Sequence, residues 1–264
     1  MSDMRIAVIG AGVMGSGIAQ TTATYGYRTH CYDLSEDQIR AARELVVNGR
    51  YGLDRAVERN KISPEWARAA QERLSFGTDL AEALDSADLV IEAIPEDLGL
   101  KTRMFRRLDE MAPPEAILTS NTSGHPICAL AGATTRPEKV MGWHWSSPPP
   151  VMPLAELVVT PQTSQATVDA VVQVATACGK NPVVVKENPF VWGFVGNRLL
   201  TAMVREAQRV VDEGLASKEQ VDQIVVDGYR WPVGPFAMME GASSGWGEKR
   251  SPSTAPEGAP WKRG

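Results

Sequence analysis

The chain has 264 residues, 43% of them apolar, and a formal net charge of −5, which is enough for one large or two modest domains with a well-buried core. Its charges are interspersed rather than blocked, which excludes a nucleic-acid surface and a polybasic membrane surface, so an anionic ligand has to be met locally. The cysteines Cys31, Cys128 and Cys178 lie far apart with no C-x-x-C pair, which excludes a zinc or disulfide framework and fits a reducing, cytoplasmic setting.

Strand-like runs alternate with helical segments from the start. RIAVIG, RTHCYD, ADLVIEAI, AILTSN, KVMGWHW, ELVVT and NPVVVK are near-continuous apolar stretches, the pattern of strands buried on both faces. Residues 35–47, 98–111 and 163–178 carry helical periodicity between them, so the series is βαβ and the sheet mainly parallel and doubly wound. Residues 51–74 break the alternation: they are polar and basic, and read as two helices with Ser63 and Pro64 opening the second. The chain begins with its first strand, without a cleavage-site pattern, and no apolar run approaches the roughly 20 residues of a membrane span. From about residue 188 the pattern is helical alone, with Gly214 closing one helix and Ser217 opening the next. Residues 241–264 contain no Leu, Ile, Val, Phe or Met and are expected to form a disordered tail.

The first chemical motif is GAGVMG, in which Gly10, Gly12 and Gly15 stand in G-x-G-x-x-G order between a strand and a helix, with Val13 and Met14 in the turn. The glycines permit a tight turn, close approach of backbone to a pyrophosphate and close helix–strand packing, and the phosphates sit at the helix N-terminus. Asp33 ends the second strand, where a carboxylate holds both ribose hydroxyls and repels an extra 2′-phosphate; the cofactor reading is therefore NAD rather than NADP.

Later strand ends carry further polar groups. EAIPEDLGLK supplies Glu92, Glu96 and Lys101, and SNTSG supplies Asn121, Thr122 and Ser123. Helix capping by Asp97 or Ser123 is an alternative reading of single positions here. His144 ends the next strand, in GWHWSSPPPVMPLAEL, and Glu156 follows in apolar company. Three successive strand ends thus deliver a lysine, a serine and a histidine to the edge where open α/β sheets bind ligands. The flanking Trp143 and Trp145 read as core packing rather than pocket wall.

Through GAGVMGSGIA, EAIPEDLGLK, SNTSG, the His144 segment with PLAEL, GFVGNR and VDEGLASKEQVD, the chain resembles the 3-hydroxyacyl-CoA dehydrogenase family over residues 4–240. The resemblance implies a Rossmann-type NAD-binding domain at 1–187 with an inserted helical hairpin, then a shortened all-α domain at 188–240 for substrate binding and homodimerisation. It implies oxidation of an L-3-hydroxyacyl-CoA to the 3-oxo form, without a metal. His144 matches the family's general base and Glu156 the carboxylate that orients it; Ser123 and Asn197 match the groups that hydrogen-bond the reacting oxygen. Glu96, Lys101 and Asn121 match positions around the nicotinamide ribose. The hairpin, with Arg50, Arg55 and Lys61, resembles the segment that helps hold the CoA nucleotide, although for any one of these residues a solvated charged helix face is the preferred reading.

Three departures bear on function. Ser147 stands where the family has an asparagine, in the part of the site that polarises the substrate carbonyl. Phe190, Val191 and Trp192 intervene between Pro189 and Gly193, where the family runs from Pro directly into Gly. After Glu240 the polar tail replaces further apolar helices, as at a truncated or frame-altered end. The alternatives are therefore a relative acting on hydroxy acids or alcohols without CoA, or an NAD-binding protein with little turnover. A lysine base on the domain helix is excluded, since no lysine occurs between Gly193 and Lys218.

Overall fold

The computed structural model describes residues 4–243, and the chain divides into two compact units between Asn197 and Arg198. The first unit runs β1 (Arg5–Ile9), α1 (Val13–Thr24), β2 (Arg28–Tyr32), α2 (Glu36–Asn48), α3 (Leu53–Glu58), α4 (Pro64–Arg73), β3 (Leu74–Gly77), α5 (Leu80–Leu84), β4 (Leu89–Glu92), α6 (Leu98–Met111), β5 (Ile117–Ser120), α7 (Ile127–Ala131), β6 (Val140–Trp145), β7 (Leu154–Val159), α8 (Gln165–Ala177) and β8 (Asn181–Lys186). Its sheet has eight strands in the order β3-β2-β1-β4-β5-β6-β7-β8. Neighbours are parallel except β6 and β7, which pair antiparallel.

This is a doubly wound sheet, with its switch where the chain, having built outward from β1 through β2 to β3, returns to place β4 on the other side of β1. Ala7, Val8, Ile9, Val90 and Ile91 are fully buried there, as their unbroken apolar runs require. One core cluster covers each face, with Val8, Ile18 and Trp143 in the first and Ile9, Phe105 and Leu118 in the second. Trp143 and Trp145 lie on one side of β6, stacked at 4.6 Å and buried to 0% and 2% exposure, which makes them core.

Helix starts follow the side chains that can accept the free N–H groups of a first turn. Ser35, Ser63, Asp97, Ser164 and Ser217 each cap the helix that follows. Ser123 does not: the turn after β5 is held instead by Thr122 Oγ1, which accepts from the N–H groups of Gly124 and His125.

Two sequence expectations change. The second helix of the hairpin runs directly into β3, a strand of four residues, not anticipated from the sequence, that pairs with β2 at the sheet edge. NPVVVK forms β8 as expected, but at the other edge, where Val183 and Val184 are 48% and 46% exposed instead of buried on both faces.

The helical run continues through α9 (Val195–Asp212), α10 (Lys218–Tyr229) and α11 (Pro235–Ser243). Gly214, at φ +72°, ends the chain's run through α9, and a capping box between Ser217 and Gln220 opens α10. α11 runs through Ser243, past the expected start of the tail, and its first turn is capped by the Asp222 carboxylate, which accepts from the N–H groups of Phe236 and Ala237. The remainder of the expected tail, 244–264, lies outside the described residues. Among the described residues no helix is long and apolar enough to cross a membrane.

Candidate active site

At the switch, the glycine loop between β1 and α1 has the geometry its spacing predicts. Gly10 has φ +107°, and a Cβ there would stand 2.7 Å from the Ala93 carbonyl oxygen. A Cβ on Gly15 would stand 1.7 Å from Gly10 O, so the helix can approach the loop only as glycine. At Gly12 nothing lies within 4 Å of the added atom, and Gly12 caps α1 with no side-chain acceptor. Val13, 67% exposed, begins the helix beside partly buried Met14. The loop is thus open, and the first-turn N–H groups of α1 lack a side-chain cap, the arrangement that suits a pyrophosphate. Asp33, just past β2, accepts from the N–H of Ala11 (2.8 Å) through Oδ2 and from that of Ser35 (3.2 Å) through Oδ1, so it is fixed to the phosphate loop itself.

At the ends of β4 and β5 a dense polar cluster forms. Glu92 is 0% and Lys101 1% exposed, and Lys101 Nζ donates to Glu92 Oε1 (2.7 Å) and to the Ile94 carbonyl (3.1 Å) and lies 3.3 Å from Glu96 Oε2. Glu92 also accepts from the Ile94 N–H and from Ser120 Oγ. Glu96, 36% exposed, accepts from Thr122 Oγ1 (2.6 Å) and from the Ser123 N–H (2.8 Å). Burial pushes Glu96 up, but the Thr122 bond, the Lys101 charge, the Ser123 N–H and His125 outweigh it and hold its pKa below the ordinary value. Burial dominates at Glu92, whose pKa is raised against the opposing pull of Lys101, Ser120 and the Ile94 N–H. Asn121 Oδ1 accepts from the Trp145 N–H at 2.9 Å, tying the end of β5 to that of β6.

The antiparallel register of β6 and β7 sets His144 directly opposite Glu156. His144 Nδ1 lies 2.9 Å from Glu156 Oε2, and Glu156 Oε1 accepts from the Gly196 N–H at 3.0 Å. Burial raises the Glu156 pKa, yet the net shift is downward through the His144 hydrogen bond, the Gly196 N–H, the His144 charge and the Val195 N–H. An ionised carboxylate can only accept, so Nδ1 carries a proton, which in the neutral ring leaves the lone pair on Nε2. The His144 ring meets Phe194 edge to face at 5.9 Å. Asn197 Nδ2 donates to the Ser123 carbonyl at 3.0 Å. Asn197, Ser123, His144 and Glu156 all belong to the first unit, which is therefore sufficient to assemble them.

The other expected positions are more scattered. Ser147 is exposed and precedes Pro148 through a cis peptide bond. Arg50 and Lys61 are exposed, with the Arg50 guanidinium 5.4 Å from the Tyr51 ring centre and Lys61 on the turn between α3 and α4. Arg55 is engaged by Glu58 at 2.6 Å. Sequence reasoning left Glu92, Ser120 and His125 without a role, though Glu92 stands in the same motif as Glu96. It also did not anticipate that Lys180, 6% exposed, donates to the carbonyls of Pro149 and Met152 and pins the turn that carries Ser147.

A doubly wound sheet with an open glycine loop at its switch and an acidic residue closing the second strand defines a dinucleotide-binding domain. Residues 5–188 match the model of the 3-hydroxyacyl-CoA dehydrogenase NAD binding domain, and residues 193–258 match that of the family's C-terminal domain. The chain is 38% identical over 238 residues to the mitochondrial hydroxyacyl-coenzyme A dehydrogenase of Sus scrofa, covering 89% of this chain and 75% of that protein. It is 40% identical over 240 residues to a probable 3-hydroxybutyryl-CoA dehydrogenase of Bacillus subtilis, covering 91% and 81%. The solved structure of (S)-3-hydroxybutyryl-CoA dehydrogenase from Ralstonia eutropha superimposes with a TM-score of 0.85 at 35% identity, over 93% of this chain and 85% of that one. The chain belongs to the 3-hydroxyacyl-CoA dehydrogenase family.

Proposed function

We propose that the chain is an NAD-dependent dehydrogenase that interconverts an L-3-hydroxyacyl-CoA and its 3-oxoacyl-CoA, with His144 as general base. The observation that carries this reading is the His144–Glu156 pair at 2.9 Å, in which an ionised carboxylate fixes the proton on Nδ1 and leaves Nε2 free to take one.

NAD would supply the acceptor for the hydride of the hydroxyl-bearing carbon. The open Gly12 position and the first turn of α1 would receive its pyrophosphate, and Asp33 its adenosine ribose. Glu96 and Asn121 would lie toward the nicotinamide end. His144 Nε2 takes the hydroxyl proton of the substrate, and Glu156 stabilises the imidazolium that results. The Ser123 hydroxyl and the remaining amide N–H of Asn197 would hydrogen-bond the reacting oxygen, the second with its orientation fixed by the Ser123 carbonyl. In the reverse direction His144 donates the same proton. Ser147 would lie on the substrate side, and Arg50 and Lys61 would meet the CoA phosphates. Exposed apolar residues of the second unit, Leu199 at 67% and Ile224 at 60%, support self-association as a homodimer. Three free cysteines support a reducing, cytoplasmic location.

The test is to follow NADH absorbance at neutral pH with acetoacetyl-CoA beside a panel of CoA-free 3-oxo acids. Consumption with the thioester and not with the free acids is expected. Consumption with free acids alone makes the protein a CoA-independent relative, and silence across the panel with NAD binding retained makes it a binding protein without turnover.

A further inference from the structure

The strands β1, β2 and β3 are parallel neighbours, so their first residues gather at the sheet edge opposite the glycine loop. Arginines stand there in register. Arg5 and Arg28 open β1 and β2 and are direct partners in that ladder. Thr29 pairs with Leu74, so Arg73, one residue earlier, comes alongside Arg28. Partners in a parallel ladder place their side chains on one face, and strands lie about 4.8 Å apart, so the three residues form a row roughly 10 Å long. Like charges at that spacing repel one another. Among the described residues, no hydrogen bond or ion pair engages any of the three guanidinium groups.

The row lines a cavity of ≈ 690 Å³, the size of a small-molecule site. Glu72, from α4, and Glu82 and Asp85, from α5 and its end, line the same cavity without pairing to the arginines. His30 and Ser75, partners on β2 and β3, lie two residues farther along the strands. His30 Nδ1 stands 3.0 Å from Ser75 Oγ, and the buried Nε2 has no hydrogen-bond partner. An unpaired buried polar atom costs free energy that a ligand group recovers. We propose that this cavity is a second ligand site, for a phosphorylated sugar. The guanidinium row takes the phosphate. The carboxylates, which only accept, take sugar hydroxyls, whereas a bare phosphate meets their repulsion and gains nothing from them. The site lies apart from the dinucleotide edge and does not depend on the dehydrogenase reading.

The distinguishing variant is Arg28→Gln, at the exposed centre of the row. Ribose 5-phosphate, AMP and inorganic phosphate are titrated by calorimetry at neutral pH, with NADH in excess, into the wild type, Arg28→Gln and Asp33→Ala. Ribose 5-phosphate or AMP should bind the wild type, and inorganic phosphate at least about tenfold more weakly. Arg28→Gln should weaken the bound sugar phosphate by about tenfold or more, the scale of one charge-assisted hydrogen bond. Asp33→Ala, altered at the glycine loop, should bind it as the wild type does. Binding of AMP alone makes the ligand a nucleotide, and binding of ribose 5-phosphate alone makes it a free sugar phosphate. The proposal is overturned if neither binds, if inorganic phosphate binds as tightly, or if affinity is unchanged in Arg28→Gln. Loss of binding in Asp33→Ala overturns it as well, since that places the ligand at the glycine loop. Should Arg28→Gln fail to fold by circular dichroism, Arg5→Gln decides on the same criterion.

Discussion

Glu156 joins His144 to the start of α9: one carboxylate oxygen lies 2.9 Å from the imidazole Nδ1 and the other accepts from the Gly196 N–H at 3.0 Å. The carboxylate therefore has a fixed direction even before substrate arrives, and it holds the ring in the tautomer that a base requires. Replacing His144 with Gln should lower kcat by about 10²–10⁴-fold, the usual range for a general acid–base, with the NAD dissociation constant nearly unchanged. Glu156→Gln, which keeps the shape but not the charge, should lower kcat less, by roughly 10²-fold. Stopped-flow turnover together with calorimetric NAD titration checks both, and wild-type turnover in His144→Gln removes that residue from the chemistry.

Asp33 binds the Ala11 N–H through the oxygen opposite the one that meets Ser35. Asp33→Ala should therefore weaken NAD by loosening the glycine loop as well as by losing the ribose contact, on the order of tenfold or more for a charge-assisted hydrogen bond. Discrimination against NADP should shrink at the same time. Titration of both dinucleotides reads the two effects separately, and an unchanged preference would sink the assignment.

Gly12 and Gly15 should fail differently. Gly12→Ala places its methyl in open space, so thermal unfolding should move by less than about 0.5 kcal/mol while NAD affinity falls. Gly15→Ala drives its methyl to 1.7 Å from a carbonyl oxygen, and should cost several kcal/mol or prevent folding, ~3 kcal/mol being the scale of such overpacking. Thermal melts with and without NAD separate the cases; a stable Gly15→Ala protein would contradict the close α1 packing.

Asp109 supplies a pH-dependent contribution to stability away from the site. Its carboxylate accepts from Arg136 Nε (2.8 Å) and from the Thr135 N–H (2.7 Å). Burial raises its pKa, but the Thr135 bonds and the Arg136 guanidinium outweigh this and lower it. A depressed folded-state pKa adds stability above the unfolded-state value of about 3.9 and loses it as pH falls through the folded value. Asp109→Asn should therefore lower Tm at pH 7, and the difference from wild type should close as pH drops below about 4. A difference that persists unchanged into strong acid would show that packing, not charge, is responsible.

Much of the local structure was legible because it depends on residues close in the chain. Ser35, Ser63, Asp97 and Ser217 sit beside the N–H groups they cap, and the α6 bounds of 98–111 follow directly from periodicity. β3 was not legible, since Leu74 and Phe76 are too few to signal a strand and owe their pairing to β2. Ser123 could be read as a cap because a serine before a short helix usually is one, whereas its neighbour Thr122 holds the turn. The burial of Lys101 was not legible, because it depends on Glu92 and Glu96 packing around it.

By itself the sequence determined the glycine loop and the alternation of most strands with helices. Each of these is a matter of residue type at short spacing, where backbone sterics and capping act locally. The tertiary structure decided which distant groups share a proton or a charge. The antiparallel turn of β7 makes His144 and Glu156 neighbours, the first turn of α9 fixes the carboxylate, and packing sets Lys101 at the centre of a buried ion cluster. Those outcomes depend on register and desolvation, and both arise only when segments far apart in the chain pack together.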